Sequence, residues 1–459
     1  MIGTTNLPAV IDLFSGCGGL SWGFKQAGFP LAACMDVSEK AIKTYKANSP
    51  KERASGASFL TADIESFEIS EFKKDYPNGC IVIGGPPCQA YSRVGRGKLN
   101  SLGSDRHHLK DSRGRLYEDF LKVALELNAR AIVMENVVDS ISYGGQNIPE
   151  TICADLLDLG YEAAWSVLNS ANYGVPQVRE RVILVAFKSD EGINPVWPSP
   201  THAPVVKKQT GTFGSMKTSI KLSSKYFVDT DEWGAASENW ISVGMAFSDL
   251  PSLRKSAKEV YKQRRMNEMV PYTSSPKNSF QQQMRTACSS WQGTTGHVYR
   301  NTGRDFEIFE RMLPGHNYID ASKIASELLA DACHRTGISP QINPVAYETL
   351  KRSIVPPYAQ HKFDDKWKKL EPDKPSRTVV AHLSVDTYSH IHPIEPRGIS
   401  VREAARLQSF PDDFLFWGNM GDAFKQIGNA VPPLLSLAIA QTLSTKFQPT
   451  PTLNNYVTA

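Results

Sequence analysis

The chain has 459 residues, 41% hydrophobic and 21% charged, with 20 Phe, 16 Tyr and 8 Trp and a net charge of +4. That apolar content builds a core and excludes general disorder, and the length calls for a large domain plus a smaller one. No apolar run approaches the ~20 residues of a membrane span, and Met1–Pro8 lacks the charged start and apolar run of a secretion signal, so a soluble chain that stays where it is made is expected. Seven cysteines (17, 34, 80, 88, 153, 288, 333) are an odd, scattered set without a Cys-x-x-Cys pair. They argue against a disulfide framework and a zinc site, and fit a reducing compartment.

From the N-terminus, short apolar runs alternate with amphipathic stretches. The runs are Ala9–Phe14, Leu31–Met35, Ile81–Ile83, Ala131–Met134 and Val182–Phe187. Between them Ser38–Asn48 and Asp111–Asn128 read as helices; in the second, Leu116, Phe120, Val123, Ala124 and Leu127 recur at helical spacing behind an Asp111 cap. Alternating strand and helix predicts a mostly parallel α/β sheet covered on both faces, with ligands at the strands' carboxyl ends. After Lys188 the texture changes. Pro195, Pro198, Pro200 and Pro204 punctuate a loop, and no regular alternation follows to about Pro375. Residues 189–375 carry 25 Lys+Arg against 20 Asp+Glu, and Pro251–Arg300 alone carries 9 against 2. A polyanion is a natural partner for such a segment; a solvated surface is the other reading, and charge alone does not separate them. Pattern returns at Ser400–Ser409 and at Pro432–Thr445, which reads as a closing helix with prolines in its first turn. The organisation expected is therefore 1–188, 189–375 and 376–459.

Five stretches, with Asp36 beside the first, can carry chemistry. Asp12-Leu13-Phe14-Ser15-Gly16-Cys17-Gly18-Gly19-Leu20 follows the first run, where a Gly-rich turn lets a ligand approach the backbone. Asp36 ends the next run and can accept hydrogen bonds from ribose hydroxyls; a tight turn with a surface carboxylate is the plain alternative. Gly84-Gly85-Pro86-Pro87-Cys88-Gln89 stiffens a turn at a third strand end, where a thiol can be a nucleophile once ionised, although most cysteines are small buried hydrophobes. The basic, glycine-punctuated stretch Ser92–Lys110, with Arg93 and Arg96, is suited to close over a polyanion, or is a solvated loop. Met134-Glu135-Asn136-Val137 offers a carboxyl for acid catalysis or for a bond to a ring nitrogen. Gln177-Val178-Arg179-Glu180-Arg181 puts two guanidiniums on one face of an extended segment, a carboxylate or phosphate clamp or a salt bridge to Glu135.

Taken in order with Arg402-Glu403-Ala404-Ala405-Arg406-Leu407-Gln408-Ser409-Phe410-Pro411-Asp412 and Gln426-Ile427-Gly428-Asn429-Ala430-Val431-Pro432, these stretches resemble the DNA (cytosine-5)-methyltransferase family, bacterial or phage type, over about residues 9–187 and 376–445. The resemblance implies a Rossmann-like catalytic domain over 1–188, a smaller irregular target-recognition domain over 189–375, and C-terminal motifs over 376–459 that complete the first and fold back onto its first strand. It implies S-adenosyl-L-methionine as cofactor, lined by Phe14, Gly16, Gly18, Gly19, Leu20, Asp36, Val37, Asp63, Ile64, Pro86, Leu116 and Asn429. It implies Cys88 as the nucleophile on an extruded cytosine, Glu135 at N3, and Arg179 and Arg181 as orienting groups; no metal is implied. Candidate DNA contacts are Gln89, Ser92, Arg93, Arg96, Arg285 and Arg300, with Gln292 and Arg304 as further base-edge donors and Arg254–Arg265 as phosphate partners. The setting implied is prokaryotic and cytoplasmic, with duplex DNA and cognate restriction or defence-system proteins as partners. An RNA enzyme of the same fold is a rival, but the Cys-Phe-Thr signature of that branch is absent. A nucleotide-dependent oxidoreductase leaves Cys88, Glu135 and Arg179–Arg181 without a role, and an inactive DNA-binding relative has no vacant catalytic position to support it.

Overall fold

The computed structural model describes residues 7–87, 116–206, 217–230, 233–234, 236–262, 264–286, 292–358, 366–385 and 388–448. Contacts divide the chain into two compact units, Met1–Tyr173 with Glu180–Glu238 and Val431–Ala459, and Gly174–Arg179 with Asn239–Ala430. The breaks therefore fall at 238/239 and 430/431, where the sequence reading has them at 188/189 and 375/376.

Unit 1 is built on seven strands: β1 (Val10–Leu13), β2 (Leu31–Asp36), β3 (Ser58–Thr61), β4 (Ile81–Gly84), β5 (Ala131–Val137), β6 (Tyr161–Asn169) and β7 (Glu180–Lys188). They lie in the order β3-β2-β1-β4-β5-β7-β6. The first five are parallel, and β7 runs antiparallel to both β5 and β6. The mostly parallel α/β sheet expected from the sequence is present. Five strands coincide with the apolar runs; β3 and β6 are additional, and the direction of β7 is not foreseen.

The central strands are apolar throughout because both faces are covered. Ile11, Val82 and Ile132 point into one core with Phe120, Val123, Ala124 and Leu127. Their neighbours Val10, Ile81, Ile83 and Val133 point into the other, with Leu20, Phe24, Leu435, Ile439 and Leu443. The Glu39–Ala47 helix begins at Ser38, whose hydroxyl accepts from the Ala41 N–H at 3.3 Å. The next predicted helix is described over Leu116–Glu126, and its Asp111 cap lies outside the described residues.

The closing helix, Pro433–Phe447, packs on the Gly19–Gln26 helix that follows β1. The crossing is close enough that a Cβ on Gly23 would collide with the backbone of Ser436 and Leu437, and the Ser436 hydroxyl donates to the Leu20 carbonyl. The edge strand β6 is covered locally. The Trp165 N–H donates to the Tyr226 carbonyl at 3.0 Å, and the Val228 N–H returns a bond to Trp165 at 2.8 Å. Glu150 secures this segment by accepting from Trp165 Nε1 at 2.8 Å and from the Tyr226 N–H at 3.0 Å.

Unit 2 has one 19-residue helix, Tyr318–Thr336, shorter ones that include Ser279–Arg285, Val401–Leu407 and Met420–Asn429, and little sheet. One part of its core is aromatic: Trp367 packs edge-on to Phe309, Tyr318 and Tyr388 at 5.0–5.7 Å. Another part is ionic and, apart from Glu395, fully buried. Arg406 reaches Asp412 with two bonds of 2.6 Å and Asp249 at 3.1 and 3.2 Å. Arg397 grips Glu403 at 2.7 and 2.8 Å and Glu395 at 2.7 Å. Arg402 donates to the carbonyls of Thr295, Pro411 and Phe414. Guanidiniums suit this task because five fixed donors satisfy several acceptors that water cannot reach. Glu403 also closes a capping box, accepting from the Ser400 N–H at 2.7 Å while its own N–H donates to the Ser400 hydroxyl.

Candidate active site

Parallel pairing brings four chemical stretches of unit 1 to one sheet edge. Leu13 stands opposite Met35 and Gly84, and Gly84 opposite Met134, so the residues following each share the carboxyl end of the sheet. At β1 the chain turns through Phe14, Gly16 and Gly18, all at positive φ (57°, 54° and 91°). A glycine is required at 18, where a Cβ would sit 3.0 Å from the Tyr45 ring. At Gly16 the reason is different: among the described residues no atom lies within 4 Å of where a Cβ would stand, so these residues leave open space above its backbone.

Asp36 closes this turn. One carboxylate oxygen accepts from the Gly16 N–H at 2.9 Å and the other from the Ser38 N–H at 2.8 Å. The carboxylate is thereby held at the strand end, with Val37 exposed beside it. Asp63 caps a single 3₁₀ turn over Ile64–Ser66, with Ile64 buried and Asp63 exposed. Leu116 opens its helix and is half-buried. Beneath the turn Asp12 is buried, and burial pushes its carboxyl up to about 7 against the opposing influence of Ser21 and Lys25, with the charge of Asp36 adding to the rise. Burial likewise raises the Cys17 thiol.

β4 ends in Gly84-Gly85-Pro86. A Cβ on Gly84 would collide with the Leu13 carbonyl and one on Gly85 would sit 3.2 Å from Glu135 Oε2, so small residues let this turn lie against its neighbours. The Asn136 amide donates to the Pro86 carbonyl at 3.1 Å and its oxygen accepts from the Val137 N–H at 2.9 Å, which ties the β4 turn to the end of β5. Cys88, Gln89, Ser92, Arg93 and Arg96 lie outside the described residues.

Glu135 meets Arg181, whose Nε lies 2.9 Å from Oε1; both side chains are 12% exposed. The register explains the pair. Arg181 stands opposite Val137 on antiparallel β5 and β7, and Glu135, two residues from Val137, is its diagonal neighbour on the same face. Arg179 does not continue that face as the alternation predicts. It precedes β7, belongs to unit 2, and is buried with its guanidinium donating to the carbonyls of Val379 and Gly428. Gln177 supports the same segment, accepting from the Val379 N–H and donating to Leu407 and Gln408. This role of Gln177 and Arg179 is invisible in the sequence, since their partners lie 200 or more residues away.

Asn429 ends the Met420–Asn429 helix of unit 2 and is exposed, after a Gly428 whose Cβ would collide with the backbone of Val380 and Ala381. Of the residues expected to face DNA, Arg285 is instead held inside unit 2, paired with Asp249 and stacked 3.4 Å from the Tyr272 ring centroid. Arg254 is buried over Phe306, Arg304 pairs with Asp305 at 2.7 Å, and Arg300 lies over Tyr388. Buried acidic and aromatic partners claim these cations, which composition alone does not reveal. Gln292 is exposed. Among the described residues no group of three His, Cys, Asp or Glu could hold a metal ion, and no helix is long and apolar enough to cross a membrane.

A family model for C-5 cytosine-specific DNA methylases matches residues 9–445. A relative from Oceanobacillus iheyensis, named as a type II methyltransferase, is 49% identical over 446 residues, 96% of either chain. The type II methyltransferase M.AgeI of Thalassovita gelatinovora is 32% identical over 458 residues, 94% of this chain and 98% of its own. A crystal structure described as a DNA modification methyltransferase encoded within an E. coli prophage superposes with a TM-score of 0.63 at 20% identity, covering 95% of this chain and 99% of that one, a likeness of fold.

Proposed function

The chain belongs to the C-5 cytosine-specific DNA methylase family and is a DNA (cytosine-5)-methyltransferase, and from that premise we propose that it methylates cytosine within one defined duplex sequence, from S-adenosylmethionine, through a covalent Cys88 adduct on a flipped base. The observation that carries the reading is the shared strand edge, which gathers the Gly16 turn, the Asp36 carboxylate, the Pro86 turn and the Glu135–Arg181 pair.

The residues present fit the cofactor. The space over Gly16 left by the described residues suits a ligand against the backbone, the Asp36 carboxylate held at the strand end suits ribose hydroxyls, and we assign Val37, Asp63 and Ile64 at neighbouring strand ends to the same cofactor. Phe14, Gly18, Gly19, Leu20, Pro86, Leu116 and Asn429 complete the set we assign to it. When bound, S-adenosylmethionine supplies an electrophilic methyl group on a sulfonium centre. The protein's own work is on the ring. Cytosine carbon 5 is a weak nucleophile, so the Cys88 thiolate adds to carbon 6 and moves electron density toward carbon 5. Glu135 supplies a proton or hydrogen bond at N3, which stabilises that density, and Arg181 orients the carboxyl. After methylation a base removes the carbon-5 proton, the ring regains its double bond and Cys88 leaves. A stacked base is out of reach, so the target nucleotide is extruded, and Gln89, Ser92, Arg93 and Arg96 are assigned to contact DNA around it. Arg179 acts by fixing the C-terminal motifs.

The biological reading is type II restriction-modification in a prokaryotic cytoplasm, the methylated site protecting self DNA from a cognate nuclease. Bisulfite sequencing of DNA from cells expressing the chain should reveal 5-methylcytosine in one recurring sequence. Cys88→Ala should abolish methyl transfer while DNA binding persists, and a 5-fluorocytosine duplex should leave an adduct on the Pro86-Pro87-Cys88-Gln89 peptide. Full activity in Cys88→Ala removes the mechanism.

A further inference from the structure

The Ser279–Arg285 helix is held more firmly than its length warrants. Seven residues do not form a stable helix on their own. Here Asn278 caps the start by accepting from the Gln281 N–H at 2.9 Å, and its own amide donates to the Met245 carbonyl at 3.0 Å. The buried Gln281 side chain donates to Met245 and to the Ser248 hydroxyl at 2.6 and 2.9 Å, and accepts from the Lys277 N–H at 2.7 Å. Phe280 and Met284 are buried. Arg285 closes the end on Asp249, the carboxylate that Arg406 also holds, and Arg406 holds Asp412, which accepts from the Tyr272 hydroxyl at 2.7 Å. A helix from the irregular middle segment is thus fixed to the Val401–Leu407 helix through buried ion pairs.

The outward side of this helix carries Ser279, Gln282, Gln283 and Thr286, all exposed and all neutral. A surface that only needs solubility favours charged side chains, and the same stretch of sequence has them: Lys255, Lys258, Lys262 and Arg265 are exposed. A neutral amide row on a rigid mount, in a segment that also exposes Lys255, Lys258, Lys262 and Arg265, is complementary to base edges flanked by phosphates. A side-chain amide both donates and accepts in one plane, which matches the N6 and N7 edge of adenine in the major groove.

We propose that Gln282 and Gln283, on the helix held by Arg285, Asp249 and Arg406, read base edges of the methylation site in duplex DNA. This rests on the reading that the chain methylates DNA at a defined sequence. The test uses the full chain, S-adenosylmethionine and duplexes carrying the site found by bisulfite sequencing. Gln282→Ala and Gln283→Ala should each lower kcat/KM at that site by roughly ten- to a hundredfold. Melting temperature, cofactor affinity and affinity for unrelated duplex should stay unchanged. Gln282→Glu and Gln283→Glu, which accept but do not donate, should shift the preferred base at one position of the site. Lys258→Ala, a phosphate-type change, should instead weaken all duplexes alike and reduce the salt dependence. If wild type methylates a defined site and all four Gln variants keep the same site and rate, the assignment of this helix fails while the function stands. If wild type methylates no defined site, both fail together.

Discussion

The two units keep their buried carboxyl groups in opposite ways. In unit 1 Asp12 lies buried under the glycine turn without a guanidinium partner among the described residues, and burial drives it toward the neutral form at about 7. In unit 2 Asp412 and Glu403 are as deeply buried, yet the charges of Arg406 and Arg397 outweigh burial and hold both below their ordinary range. The contrast follows from architecture. Unit 1 orders its site with strand ends, whose backbone bonds need no charge. At that edge Asp36 and the Glu135–Arg181 pair add charge, but unit 2, with little sheet, orders its loops chiefly with buried guanidiniums.

The largest expected effect removes one of those guanidiniums. Arg406→Met leaves Asp249 and Asp412 buried without their main partner, and should cost about 3–5 kcal/mol. Calorimetry should show the loss, and limited proteolysis should place new cuts within 239–430; a variant as resistant as wild type would erase the distinction between the units. Next comes pH. Asp12 has an ordinary value of 3.8 and a folded value of about 7, so the folded state keeps a proton that the unfolded state releases. Its contribution is fully present below the ordinary value, declines as pH climbs through that window and is lost above about 7. Removing the group in Asp12→Asn should flatten this decline, which is on the order of 2–4 kcal/mol across the window. Asp412 and Glu403 act with the other sign, stabilising above their unfolded values and less so as acid protonates them. Melting curves from pH 4 to 8 separate the two contributions, and an Asp12→Asn profile parallel to wild type would break the comparison.

A smaller change tests the backbone side. Gly84→Ala forces a Cβ against the Leu13 carbonyl and Phe120, and should cost about 1–3 kcal/mol by denaturant titration. The least effect on stability is expected of Arg181→Ala near the start of β7, whose side chain is 12% exposed and pairs with a single carboxylate, and it should cost about 1 kcal/mol. Methyl transfer should nevertheless fall roughly tenfold or more, because Glu135 loses the group that orients it. An unaltered rate would leave that pair without a part in the chemistry.

The same contrast governs what the sequence discloses. Runs such as Ile81–Ile83 and Ala131–Met134 are legible because both faces of a central strand are covered, so every position is apolar. Ser58–Thr61 escapes notice as a four-residue, half-buried edge strand, and Tyr161–Asn169 because the first part of it mixes Glu162 among small residues. The direction of β7 is hidden for a different reason. Alternating strand and helix leads one to expect a crossover, whereas β6 and β7 are joined without a helix beyond one short 3₁₀ turn at Ser170–Tyr173. Site residues fixed by local turns, Gly16, Asp36 and Glu135, stand where their motifs put them on the sheet edge. Arg179 and Arg285 do not, because what claims a guanidinium is a partner distant in sequence, and charge composition is blind to pairing.

The packing of Gly23 against Ser436 and Leu437 bears on how the molecule is made. A ribosome delivers the first glycine turn early, but the helix behind it keeps an uncovered apolar side until more than 400 further residues have been synthesised. A chain stopped before Pro433 therefore leaves that side of the Gly19–Gln26 helix bare and open to proteolysis, however much of the sheet has already formed.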